Sequence, residues 1–165
     1  MAADVNPGQW GIVFTLPREF DTLRWVRDAA WSWYPADHIG RPEGTARANP
    51  VARRTVEEPR VALQTPWSLD AHALGTNDFR STKAQIREAS LSAASGRTWK
   101  VVSADASQSV RAWVEGDRVR VLVAGFNTGG YDQFFATHYS AERRPLKKGD
   151  VVASSFRLVM SAHGK

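Results

Sequence analysis

The sequence predicts an all-β protein, an antiparallel β-sandwich folded as a single domain over residues 1–165. Three observations predict it. Short runs of alternating apolar and polar residues recur along the chain, separated by Gly, Pro, Asn and Asp clusters. No stretch keeps a helical period beyond two turns, and there is no internal repeat. At 165 residues the chain can bury a core without covalent staples, and it has no cysteine with which to make one.

The elements follow in order. Residues 9–16 read as a first strand, with Trp10, Ile12, Phe14 and Leu16 on one face and Pro17 stopping it. Residues 21–27 read as a second, with Leu23 and Trp25 facing one way. Residues 31–41 are aromatic but aperiodic, and Pro35 and Gly40 mark a structured loop. Residues 42–59 are polar, carry the charged run 53–58, and are expected to form a mobile loop with a solvated surface. Residues 61–68 suggest a short extended piece, and 75–80 a turn-rich polar cluster. Ile86, Ala89 and Leu91 fit helix or strand, and the β-rich neighbourhood favours a strand over 84–94. Residues 99–103 read as another strand. Gly116-Asp117 joins strands 109–115 and 118–126 as a tight hairpin. Residues 146–150 form a turn that feeds a last long strand, 151–160.

The hairpin's second strand leads into the most unusual stretch. Val119, Val121 and Val123 alternate with Arg118, Arg120 and Leu122, as a pleated surface favours. Asn127-Thr128-Gly129-Gly130 then breaks the pattern, because glycine loses most on ordering. Tyr131, Asp132, Gln133, Phe134 and Phe135 follow at once. Three aromatics and a carboxylate in a loop suit a binding role, since loops on a rigid scaffold carry function. Equally, Phe134 and Phe135 could fold back into the core.

Composition narrows the function classes. No apolar run approaches the ~18 residues that span a bilayer, so no membrane is expected as a partner. The first residues lack a basic segment followed by an apolar one, so no signal peptide is expected, and the compartment stays open. The net charge of +5 admits nucleic acid, but the basic pairs Arg53-Arg54, Arg143-Arg144 and Lys147-Lys148 are scattered among acids and make no stripe. His38, His72, His138 and His163 lack neighbours at metal-ligand spacing, so neither a metal site nor another cofactor is expected. Seven tryptophans are more telling, because an indole stacks on apolar C–H faces such as those of sugar rings. Hydrolysis of a glycoside would need a carboxylate pair, for which Asp37, Glu43, Asp78 and Asp132 are the candidates. No spacing fixes a pair, and Asp37 and Asp78 suit loop roles, accepting backbone N–H bonds in turns.

Three segments together resemble a known family. Trp25 with Trp31-Ser32-Trp33-Tyr34-Pro35-Ala36-Asp37-His38-Ile39-Gly40-Arg41 is similar to the Tyr-Pro-Asp-Arg region in the last domain of the large β-galactosidases of glycoside hydrolase family 2. Gly75-Thr76-Asn77-Asp78-Phe79-Arg80-Ser81-Thr82-Lys83 looks like a signature of related bacterial glycosidases. Gly129-Gly130-Tyr131-Asp132-Gln133-Phe134-Phe135, with residues 146–160, resembles the closing loop and final strand of that domain. The resemblance implies a mutarotase-like supersandwich, of which this chain holds roughly the second half. In the family that domain lends an aromatic loop to the rim of the sugar pocket, while the catalytic pair lies on a separate barrel. Asp132, Phe134 and Phe135 map onto that loop. The chain departs from the family in having no barrel, and in having Trp-Ser-Trp where the family has a glycine-proline turn.

Three functions follow as expectations. The first is a carbohydrate-binding or accessory sandwich, with sugar stacked on Trp31, Trp33, Tyr34 or Phe134. Asp37, His38, Arg41 and Asp132 would bond its hydroxyls, beside Phe135. The second is a small free-standing glycoside hydrolase using two of Asp37, Glu43, Asp78 and Asp132. The third is a structural or interaction module without a ligand. Half a supersandwich would expose apolar faces and strand edges, so a homo-oligomer, or the rest of a longer glycosidase, is the expected protein partner.

Overall fold

The structure, a computed structural model, describes residues 5, 7–28, 42–49, 67–69, 82–127 and 145–162. Their eight strands are β1 (Gln9–Pro17), β2 (Thr22–Arg27), β3 (Glu43–Arg47), β4 (Ile86–Ser92), β5 (Thr98–Val102), β6 (Ser109–Glu115), β7 (Arg118–Asn127) and β8 (Arg157–Ser161). One 3-10 turn, Trp67–Leu69, accompanies them. All pairings between the strands are antiparallel. One sheet has the order β1-β7-β6 and the other β3-β2-β4-β5-β8. The two pack as a sandwich, as the alternating pattern predicts.

The core lies between the sheets and follows from strand alternation. Val119, Val121 and Val123 of β7 and Val110 and Ala112 of β6 meet Leu23, Trp25, Ile86, Ala89, Leu91, Trp99 and Val101 of the other sheet. Phe14 of β1 lies 5.3 Å from the Trp99 ring and 6.2 Å from Phe156, so β1 sits over the β5–β8 side. β7 is buried on its other face as well, at Leu122 and Ala124. The hairpin between β6 and β7 closes with Glu115 opposite Arg118. Gly116 supplies the positive φ, +59°, that a two-residue turn needs at its first position.

Two sequence expectations are corrected. Residues 42–59 do not begin as an irregular loop. Glu43–Arg47 forms the edge strand β3, with Ala46 and Ala48 in the core, while 50–59 lie outside the described residues. Gly44 is needed there because the Trp25 indole lies on it, and a Cβ would come within 2.6 Å of the ring. The last strand is shorter than 151–160. β5 ends at Val102, which pairs Arg157, so residues before 157 have no ladder to join. The chain there instead crosses to the smaller sheet, where Ser154 lies beside Gly125 of β7 and accepts a 3.2 Å bond from the buried amide of Gln108, just before β6. The extended piece expected over 61–68 ends in the 3-10 turn at Trp67, and 61–66 lie outside the described residues.

Candidate functional site at one end of the sandwich

The register places one set of chain positions at a common end. Arg27, the last residue of β2, pairs Ile86, the first of β4. Val102 ends β5 opposite Arg157, and Asn127 ends β7 opposite Gln9. The sheets are joined here. Ile86 donates its N–H to the Gln108 carbonyl at 3.0 Å, and Asp28 donates to Gln85 at 2.8 Å. Pro42 lies at this end too, since the Arg27 N–H bonds the Pro42 carbonyl at 2.9 Å. Lys83, bridged to Val110, and Asn127, the last residue of β7, also lie here. The chain returns at Leu146, which exchanges bonds of 2.9 and 2.8 Å with Val5.

Lys83 is the keystone of this end. It makes a two-bond bridge with Val110, of 2.7 and 2.9 Å, on the open edge of β6. Two residues later Gln85 takes φ +53° and the chain turns into β4 of the opposite sheet. The Lys83 side chain is fully buried. Its ammonium lies 5.1 Å from the centre of the buried Trp25 ring and donates to the Thr82 carbonyl at 3.2 Å. A buried cation is stabilised by an aromatic face and by hydrogen bonds, and the site supplies both. Arg27, also buried, follows Trp25 on the inward row of β2.

A second cluster braces the same end. Arg87 of β4 grips Asp28 through two bonds, 3.0 Å and 2.5 Å, and donates a third of 3.0 Å to the Ala104 carbonyl. The hydrogen bond and charge of Asp28 raise the already high pKa of the Arg87 guanidinium. Asp105 accepts the Ser107 N–H at 3.1 Å and a Ser103 hydroxyl at 3.3 Å. The Ser107 backbone N–H, then the Ser107 and Ser103 hydroxyls, hold its carboxyl below the ordinary value of 3.8. The Gln108 amide oxygen accepts from Ser103, and its nitrogen donates to Ser107 at 2.6 Å.

Of the residues that the sequence singles out as candidates, Glu43 is described. It is exposed at the start of β3, opposite Val26, at this same end. Trp31, Trp33, Tyr34, Asp37, His38, Arg41, Asp78, Asp132, Phe134 and Phe135 lie outside the described residues. Among the described residues no group of His, Asp or Glu could hold a metal ion. Sequence reasoning missed the buried cations Lys83 and Arg27 and the Arg87–Asp28 brace. Lys83 carried one usable signal, its place at the end of the 75–83 motif; Arg27 and Arg87 carried none.

The described residues define a class: a two-layer antiparallel β-sandwich braced at one end by Lys83 and by the Arg87–Asp28 pair. Comparison with protein-family models, curated proteins and solved structures found no match.

Proposed function

We propose that the protein is a carbohydrate-binding accessory β-sandwich, related to the last domain of family 2 glycoside hydrolases, with its sugar site at the braced end. One observation carries this reading. The described residues that flank the three segments, Asp28, Pro42, Thr82, Lys83 and Asn127, lie at that end, and Lys83 of one segment lies on Trp25 of another in the core. A braced end next to aromatic sequence suits sugar recognition, because stacking needs indoles fixed in place before the ring arrives.

The test is retention on soluble and insoluble polysaccharides, run beside hydrolysis of a panel of chromogenic glycosides. Binding without turnover is expected, with Trp33→Ala weakening retention at least tenfold while the unfolding midpoint stays put. Turnover abolished by Asp132→Asn or Asp37→Asn would replace this reading with a free-standing glycoside hydrolase. Neither binding nor turnover would leave a structural module.

A further inference from the structure

We propose that β8 is a self-complementary edge through which two copies of this chain pair, antiparallel, into one continuous ten-stranded sheet. Among the described residues β8 is bonded to β5 on one side and to no strand on the other. Every residue of β8 is exposed, with Leu158 at 38%, Val159 at 39% and Met160 at 74%. Leu158 and Met160 stand opposite Val101 and Trp99 of β5, so they continue the inward face of the larger sheet. The smaller sheet has three strands against five, and these side chains extend past its cover.

The choice of β8, and of a second copy, comes from comparing the edges. Natural edges are blunted by charges, proline or bulges. β3 carries Glu43 and Arg47, β6 is bridged by Lys83, and β1 has a bulge at Trp10–Gly11 and ends in Pro17. β8 has an Arg at one end and nothing else of the kind. A two-fold axis at Val159 would set Val159 against its own copy on the outer face. It would set Leu158 against Met160 twice on the inner face, and Arg157 against Ser161 twice. No like charges would oppose, and three apolar cross-strand pairs would form. Lys100, the β5 neighbour of Val159, is already paired with Glu88 at 3.0 Å, so its charge is balanced beside the seam. Such an isologous contact closes at two copies. Five residues a side make a small interface, so the dimer belongs to the weak, concentration-dependent class.

The experiment is sedimentation of the full chain from about 1 to 200 µM, the range in which small interfaces dissociate. The mass is expected to rise with concentration from 18.3 kDa toward twice that value. Val159→Lys, which places two ammonium groups face to face at the axis, should weaken association at least tenfold. Val151→Lys serves as control, being apolar and 90% exposed but off the strand. Met160→Asp is the second seam variant, and tryptophan emission confirms that each variant is folded. A monomer at every concentration would overturn the proposal. So would a dimer that the seam variants weaken no more than Val151→Lys does. Sugar binding plays no part in this readout, so the two proposals fail separately.

Discussion

Asp105 shows how a single side chain braces the site end. The folded chain keeps its carboxyl ionised at a pH where the unfolded chain has already taken a proton, because the Ser107 and Ser103 donors favour the anion. The stabilisation is therefore complete above the unfolded value near 3.8 and is lost as pH falls through the lower folded value. Asp105→Ala should be less stable than the parent at pH 7, and the gap should shrink to nothing in strong acid. Urea unfolding at pH 7, 4 and 2.5 measures it, and a gap independent of pH would contradict the account. Lys83 is a residue that the sequence underplays. Its motif is legible, but its burial depends on Trp25, which lies on a different strand more than fifty residues away.

At the scale of elements, the strands that the sequence shows most clearly are those with alternating β-branched residues and an explicit turn signal. The β6–β7 hairpin is legible from Gly116-Asp117 and its flanking valines. β3 is not, because Glu-Gly-Thr-Ala-Arg has little β-branched character and its small residues answer to the Trp25 ring across the ladder. The overlong reading of 151–160 fails for the opposite reason. The alternation of Val152, Ser154 and Phe156 looks like a strand, but a strand needs a partner, and β5 stops at Val102. As for the candidate site, sequence alone picks out aromatic and acidic residues that, Glu43 apart, lie outside the described residues, and only register reveals that the described residues flanking them, Asp28, Pro42, Thr82 and Asn127, share one end. Burial orders the strands by local stability. Amide exchange should be slowest in β7 and β4, each central in its sheet, and faster by orders of magnitude in β8 and β3 at the edges. Hydrogen exchange read by mass spectrometry tests this ranking. Protection of β8 that rises with protein concentration would accompany its pairing.

At the scale of the molecule, one core serves both sheets, and the chain passes between them at residues 18–21, 82–86 and 103–108. With so many crossings neither sheet can open alone. Leu91→Ala in the larger sheet and Leu16→Ala in the smaller should each cost about 2–5 kcal/mol, as buried leucines do. Both should lower one common midpoint, seen identically by tryptophan emission and by far-ultraviolet circular dichroism. Two separated transitions would mean that the sheets are independent units.

The pairing of β1 with β7 also sets a schedule. Gln9 finds its partner in Asn127, more than a hundred residues further along the chain. At a synthesis rate of about 5–20 residues per second, β1 waits roughly 6–24 s on the ribosome before its neighbour emerges. During that interval Phe14 and Leu16, which pack into the shared core, have no sheet to enter, so their apolar side chains stay uncovered until the last third of the polypeptide arrives.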